Sequence, residues 1–270
     1  MKSRAAHGTD ERISSLRSEI RASVAPVLRP SNEICFYREF LLLRASRPDY
    51  KETMRLIDLS QPIFDQCPNC PAHPPISLNM LATHEQVGWQ VENLALTPHG
   101  GTHLDAPLHK IANGTSIDRM PLEGFVADAY IADFRGVPKN TPLDATMLAA
   151  KLPDRLEGAV VLLATGWGYK RARTQEWFHE APHLVSSGAR WLVERKIRGV
   201  GIDHYSISCN EPENTLTHEI LLGTNSIWIL EELHFPEDAF ALPRPSKIWA
   251  LPIHIRGASG AWCRPVLVAN

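Results

Sequence analysis

The chain has 270 residues, of which 44% are hydrophobic and 21% are charged, and its formal net charge is −2. This is the composition of a globular protein with one large or two small domains. The near-neutral charge argues against a nucleic-acid backbone or an anionic membrane surface as partner, so a small molecule is the expected partner.

Cysteine usage and hydropathy indicate the compartment. The five cysteines are an odd number scattered along the chain, which is not typical of a disulfide framework. No apolar run approaches the roughly eighteen residues needed to cross a bilayer. Charges also interrupt the N-terminal region, where a secretory signal needs an apolar core. These features predict a cytoplasmic protein.

The first predicted element is a short amphipathic helix, because apolar residues recur at helical spacing between Thr9 and Val24. Further along, the stretch MRLIDLSQPI that begins at Met54 is typical of a strand followed by a proline-broken turn. We place the domain boundary at this point. Residues 1–53 are predicted to form a helical arm or an extension, and residues 54–270 the principal domain.

Beyond Met54 the pattern mixes strands with helices. Segments that are mostly rich in Val and Ile predict strands at residues 129–134, 159–164, 199–203, 227–231, 248–255 and 265–269. Helices are predicted over 142–152, with Thr141 as cap and Pro142 at the first helical position, and over 187–196. Because the elements do not alternate strictly, we expect an α/β fold that is not a parallel barrel.

The segment HGGTHLDAPLH, from His99 to His109, carries the strongest chemical signal. Twelve histidines in 270 residues would place about half a histidine in an eleven-residue window, yet this window holds three, with Asp105 between them. Imidazole nitrogens and carboxylate oxygens are the usual ligands of zinc, manganese or iron, and a hydrolytic site keeps one position open for water. The cluster therefore predicts a metal-dependent hydrolytic site.

The spacing within this segment indicates how its side chains converge. In an extended chain His103 and Asp105 point to the same side, about 7 Å apart at Cα, so both can bind one ion. A glycine turn at residues 100–101 would fold His99 back toward them. His109 follows the next bend and is the candidate either for supporting a metal ligand or for acid-base work, because the pKa of imidazole lies near neutral pH.

This segment resembles the His-x-Gly-Thr-His-x-Asp-x-Pro-x-His signature of the cyclase-like metal-dependent hydrolases, the family that includes bacterial kynurenine formamidase and isatin hydrolase. All fixed positions of the signature are present: His99, Gly101, Thr102, His103, Asp105, Pro107 and His109. The similarity extends from about Met54 to the C-terminus. It is supported by IDLSQPI, LLATGW, GIDHYSI and the tail around residues 257–264.

The resemblance implies a swivelling β/β/α domain, with a mixed sheet and flanking helices, that forms a homo-oligomer such as a dimer or a tetramer. It also implies metal binding by His99, His103 and Asp105. In the kynurenine formamidase branch a later His and Glu complete a two-metal site, and His218 and Glu231 match these by position. The stretch between them is one residue longer than the usual spacing, which leaves Glu231 and Glu232 as alternatives.

Other candidates concern the substrate and rival sites. Where the branch tends to have Trp-Pro-Gly-Asp, this chain has CPAH at residues 70–73, so an aromatic substrate wall is not expected there. Trp89 is a candidate substrate-binding residue, with core packing as the alternative, and His204 is a second candidate because it follows a predicted strand end.

The His-Glu-x-x-His pattern at residues 179–183 is set aside because Pro182 interrupts the helix that zinc proteases need there.

Together these features predict a metal-dependent hydrolase of a small amide, lactam or ester, with an aryl formamide or an isatin-like compound as substrate. Such an enzyme is arylformamidase-like and acts on C–N bonds other than peptide bonds. One or two divalent ions, zinc or manganese, would activate water. The alternatives are a metal-assisted cyclase of the same family and a non-catalytic protein that binds a metal or a small ligand.

Overall fold

A computed structural model of the protein describes residues 54–269, so the helix and arm predicted within residues 1–53 lie outside the described residues. Residues 54–79 and those from Glu92 onward form one compact unit, and residues 80–91 belong to a second unit. Among the described residues, no helix is long and apolar enough to cross a membrane.

Thirteen strands occur within residues 54–269: β1 (Arg55–Asp58), β2 (Ser77–Ala82), β3 (Val91–Ala95), β4 (His103–Asp105), β5 (Val126–Asp133), β6 (Pro142–Leu143), β7 (Val160–Ala164), β8 (His183–Leu184), β9 (Gly199–Ile202), β10 (Trp228–Glu231), β11 (Ser246–Trp249), β12 (Gly260–Trp262) and β13 (Val266–Ala269). The same residues form five α-helices: α1 (His84–Val87), α2 (Ala145–Ala149), α3 (Gln175–His179), α4 (Ser186–Glu194) and α5 (Glu213–Leu222). Short 3-10 helices lie at Pro107–His109, Ile117–Arg119, Leu122–Phe125, Trp167–Lys170 and Glu237–Ala241.

A nine-stranded mixed sheet organises the larger unit, in the order β1-β13-β11-β5-β7-β9-β10-β4-β12. Strands β5, β7, β9 and β10 run parallel to one another at its centre. The remaining neighbours are antiparallel. The α/β fold with a mixed sheet and flanking helices is therefore confirmed.

The central strand β7 shows why this sheet is covered on both faces. All five of its residues are buried, as expected for a parallel strand without a solvent face. Val160 and Leu162 belong to one hydrophobic cluster, whereas Val161 and Leu163 belong to another, because successive side chains of a strand point to opposite faces. Residues of α2, α4 and α5 pack in the second cluster, so these helices cover one face of the sheet.

Two predicted boundaries were wrong. The strand predicted over 248–255 ends at Trp249. The helix predicted from Pro142 begins at Ala145, and its cap is Asp144, whose carboxylate accepts from the Met147 amide at 2.9 Å. Pro142 instead lies in β6 and pairs with β8, and the Thr141 hydroxyl donates to a carbonyl in the preceding turn.

Candidate metal centre

Six side chains of the larger unit converge on one region. His103 and Asp105 lie on β4, and Glu231 of β10 is paired directly with His103 across the sheet. His218 comes from α5, while His99 and His109 flank β4 in the chain. Five of the six line a cavity of about 250 Å³, namely His99, His103, His109, His218 and Glu231. Asp105 is fully buried.

Two glycines permit this convergence. Gly101 adopts a φ of 72°, so the predicted turn at residues 100–101 is confirmed, and it folds His99 back toward β4. Gly260 of β12 lies against the His99 ring. A Cβ at residue 260 would approach His99 Cε1 to 2.6 Å and the Leu104 carbonyl oxygen to 2.5 Å, so a larger residue would displace His99.

Backbone carbonyls fix two of the imidazole rings. Nδ1 of His103 donates to the Gly101 carbonyl at 2.8 Å, and Nδ1 of His218 donates to the Asn214 carbonyl at 2.8 Å. In the neutral form that binds a metal, an imidazole has a single N–H, so Nε2 of each ring would keep a lone pair on the side of the carboxylates. A hydrogen bond of this kind, on the nitrogen remote from the ion, is the usual support of a metal-binding histidine.

The distances around these nitrogens match the spacing of ligands that share an ion. His103 Nε2 is 3.3 Å from Asp105 Oδ1 and 3.5 Å from Glu231 Oε2. His218 Nε2 is 3.6 Å from Glu231 Oε1 and 3.8 Å from Asp105 Oδ2. These separations exceed ordinary hydrogen bonds. Two ligands about 2.0–2.1 Å from a tetrahedral ion would be about 3.4 Å apart.

The electrostatics of the cluster also favour a cation. Burial lowers the pKa of His103, but the carboxylates of Asp105 and Glu231 outweigh it and raise this pKa to about 9. Burial opposes ionisation of Asp105, yet the imidazoles of His109, His103 and His99 hold its pKa well below the usual range. Asp105 Oδ2 is buried and has no hydrogen-bond partner among the described residues. The donor set therefore fits a divalent cation.

His99 and His109 form a second group of potential ligands with Asp105. His99 Nδ1 is 2.6 Å from Asp105 Oδ1, and its Nε2 is 2.8 Å from the Ser259 hydroxyl. The rings of His99 and His109 lie 4.0 Å apart between centroids. One ligand atom from each of His99, Asp105 and His109 falls within 4.8 Å of the others. Asp105 thus lies between two groups of potential ligands.

Comparison with known proteins identifies the family. The sequence profile of the cyclase family, described as "Putative cyclase", matches residues 57–208, which is more than half of the chain. The chain belongs to the cyclase family.

Relatives of this cyclase-family chain include the kynurenine formamidase of Bacillus anthracis, which is 27% identical over 220 residues, covering 80% of this chain and 98% of the relative. A predicted metal-dependent hydrolase from Bacillus stearothermophilus is 25% identical, with a TM-score of 0.66, covering 81% of this chain and all of the other. Isatin hydrolase A from Ralstonia solanacearum shares the fold, with a TM-score of 0.70 at 23% identity. The match covers 90% of this chain and all of the isatin hydrolase chain.

The structure distinguishes the two glutamates that the sequence left as alternatives. Glu231 reaches the cluster, and its Oε1 accepts from the Ile207 amide at 2.6 Å. Glu232 adopts a φ of 59°, and this turn of the backbone leads its carboxylate to Arg171, 2.5 Å from Nε. The fold therefore brings Glu231, and not Glu232, to the candidate metal centre.

The two predicted substrate-binding residues are not placed at this cavity by the structure. His204 is fully buried, with its ring nitrogens 3.2 Å and 2.8 Å from the carbonyls of Ser206 and Trp177, and burial lowers its pKa to about 4. It is not among the residues that line the described cavity, and its role in substrate binding stays a prediction. Trp89 belongs to the separate unit of residues 80–91 and is 63% exposed, and its role remains a prediction.

Sequence analysis missed most of the cavity wall. Cys70, Ala72 and His73 line it on one side, although the sequence indicated only that an aromatic wall was missing there. Asn214 and Thr215 also line it, and helical spacing from His218 could have revealed them, because residues three and four apart share a helix face. The rejected zinc-protease pattern is not helical throughout, since α3 ends at His179 and His183 lies in β8.

Proposed function

We propose that this cyclase-family protein hydrolyses the C–N bond of a small amide, either an aryl formamide or a lactam of the isatin type. The observation that carries the proposal is the convergence of four imidazoles and two carboxylates on one small cavity. His103, Asp105, His218 and Glu231 would hold a divalent ion, zinc or manganese. If two ions are bound, His99 and Asp105 would hold the second.

When bound, such an ion lowers the pKa of water toward neutrality and polarises a substrate carbonyl. His109 is the residue proposed to move protons. Burial lowers its pKa, although the Asp105 carboxylate acts in the opposite direction, and this lowering favours the neutral ring, which can accept a proton. It would accept one from water as the oxygen attacks the carbonyl carbon, and return it to the nitrogen as the C–N bond breaks.

The size of the cavity supports a small substrate. The cavity has a volume of about 250 Å³, which is below the ≈ 300–1,000 Å³ typical of pockets for drug-sized ligands. Kynurenine formamidases are among the relatives that match over about 80% of the chain, which supports a formamide. The isatin hydrolases share the fold, which makes a cyclic amide the second substrate to test.

The oligomer and the compartment belong to the same proposal. We propose a dimer or a tetramer that works in the cytoplasm. The four cysteines within the described residues are all free, which supports a reducing compartment.

The test is a screen with metal-loaded protein. N-formylaniline, N-formylkynurenine and isatin would each be supplied with zinc or manganese, and release of amine or ring-opened acid would be followed. We expect turnover of at least one compound that stops with a chelator and returns with the metal. If the loaded protein turns over none of the three substrates, the proposed substrate class is wrong.

A further inference from the structure

Arg171 is a buried arginine beside the metal centre that the proposed chemistry does not use. Its side chain is 6% exposed, and the carboxylate of its partner Glu232 is 2% exposed. A buried carboxylate is costly without a counter-ion, and Arg171 supplies it at 2.5 Å from Nε. Glu232 directly follows Glu231 in the chain, at the point where β10 ends.

The other end of the same guanidinium holds a loop. Nη1 donates to the Pro62 carbonyl at 2.8 Å, and Nη2 donates to the Pro68 carbonyl at 3.0 Å. We call residues 61–74 the wall loop, because this segment continues to Cys70, Ala72 and His73, which line the cavity. One buried side chain therefore connects the end of β10 to the loop that forms one wall of the site.

Further hydrogen bonds connect the start of the wall loop to the histidine-rich motif and to the end of β10. The Thr102 hydroxyl, from the histidine-rich motif, donates to the Glu232 carbonyl at 2.7 Å and accepts from the Gln61 amide at 2.8 Å. The Gln61 side chain donates to the Gly168 carbonyl at 2.8 Å. The base of the wall loop is thus fixed to the motif and to the Glu232 turn. Arg173 holds the Gln66 carbonyl of the loop at 3.0 Å, and Arg171 holds the carbonyls of Pro62 and Pro68.

We infer that Arg171 is a positioning residue that sets the place of the wall loop over the metal centre, and thereby the fit of the substrate. A guanidinium suits this task because its planar fork reaches a carboxylate and two carbonyls that lie in different directions. A lysine at this position would keep the charge beside Glu232 but would lose that planar geometry.

Substitution of Arg171 is expected to affect substrate binding but not metal binding. None of the proposed ligands contacts Arg171 in the described hydrogen bonds, so metal binding is expected to survive its substitution. Substrate binding is expected to weaken, because Cys70, Ala72 and His73 would no longer be held in place. The kinetic part of this expectation rests on the proposed function, while the order of the loop does not.

The experiment compares R171K, R171M and E232Q with the full-length wild-type protein. R171K retains the buried charge, so it keeps a folded variant available even if R171M is unstable. The matched control is R135K. Arg135 also donates hydrogen bonds through its guanidinium, but their acceptors are the carboxylates of Asp133 and Glu237, its side chain is 31% exposed, and none of these bonds reaches the wall loop.

Two measurements are made on each variant. In hydrogen exchange, amides of the wall loop such as those of Cys67 and His73, which donate to backbone carbonyls, should exchange at least about tenfold faster in R171K and R171M. With the best substrate of the screen, kcat/KM should fall about 10–100-fold, mostly through KM, while metal content stays at the wild-type level. E232Q should behave as R171K does, and R135K as the wild type.

Unchanged exchange of the wall loop in R171K and R171M would overturn the inference, and so would loss of metal in R171K. An unchanged KM beside faster loop exchange would also overturn it, because the loop would then not set the fit of the substrate. If the wild type turns over no substrate, the proposed function fails, and the exchange measurement still decides whether Arg171 positions the loop.

Discussion

Asp105 is the residue on which the candidate centre depends most. Its Oδ1 lies 2.6 Å from His99 and 3.3 Å from His103, and its Oδ2 lies 3.8 Å from His218. A single buried carboxylate therefore faces both groups of imidazoles. In the ion pairs of residues 54–269, Asp105 is paired only with these imidazoles. Substitution of Asp105 is therefore expected to reduce metal binding more than substitution of any other residue of the cluster.

The first prediction concerns metal content. D105A and H103A should each reduce the bound metal from one or two equivalents per chain to nearly none, because loss of a direct ligand should exceed the 10–100-fold loss of affinity seen for supporting residues. Elemental analysis of the purified proteins measures this. H254A, at an exposed histidine outside the cluster, is the control. Wild-type metal content in both D105A and H103A would contradict the assignment.

The second prediction separates His109 from the metal-binding residues. H109A should retain metal, while turnover falls by about 10²–10⁴-fold, as is typical of a lost acid-base residue. H109N should be nearly as slow, since its amide does not titrate near neutral pH. Turnover at the wild-type rate in both variants would make His109 structural, and metal loss in both would make it a ligand.

At the scale of elements, the parallel strands β7 and β9 are joined beyond their carboxyl ends by a buried carboxylate. Asp203, which follows β9, accepts from the Thr165 amide at 3.0 Å and from the Thr165 hydroxyl at 2.6 Å. It also accepts from the amides of Gly166 and Gly168 at 2.8 Å and 3.3 Å. The turn that leads to Arg171 is therefore ordered by a residue of the neighbouring strand.

A third prediction follows for this turn. D203N should lower the free energy of unfolding by roughly 1–3 kcal/mol, because an amide group facing backbone donors leaves a buried N–H without an acceptor. Urea denaturation measures the change. D128N is the control, since Asp128 is exposed and forms an ion pair with a lysine at the surface. Equal stability of D203N and the wild type would show that the turn does not depend on this carboxylate.

At the scale of the whole molecule, the metal centre connects parts that are distant in sequence. β4, β10 and α5 supply four of the six residues of the cluster, and two of these elements follow the motif by more than a hundred residues. A bound ion would neutralise two buried carboxylates at this junction. Stability and metal content are therefore expected to change together.

The fourth prediction tests this coupling. Removal of metal with a chelator should lower the thermal midpoint of the protein, and added zinc or manganese should restore it, because a ligand that binds only the native state stabilises it. Differential scanning calorimetry measures both steps. D105A, which should bind little metal, is the control and should not respond. The same midpoint with and without metal would contradict a structural contribution of the ion.

The fifth prediction concerns the domain boundary. A chain that begins at Met54 should fold and bind metal, because all six residues of the cluster and all nine strands of the central sheet lie after this residue. Size-exclusion chromatography and elemental analysis of this shortened chain would measure both properties, with the full-length protein as the reference. An insoluble or metal-free product would show that residues 1–53 belong to the core.

The sequence alone predicted the family, the α/β class and most strand positions, and it identified the motif from His99 to His109. These features are local. Buried strands are short apolar runs, and four of the six residues of the cluster lie within eleven positions, where a glycine turn and one strand suffice to bring them together.

Only the tertiary structure decided the rest, because it depends on pairings between distant segments. The choice of Glu231 over Glu232 follows from the register of β10 against β4 and from the positive φ at residue 232, neither of which has a local signal. The burial of His204 depends on its packing against Trp177 in another segment. The position of Arg171 likewise depends on two loops that meet only after the sheet has formed, so no spacing in the sequence could have revealed it.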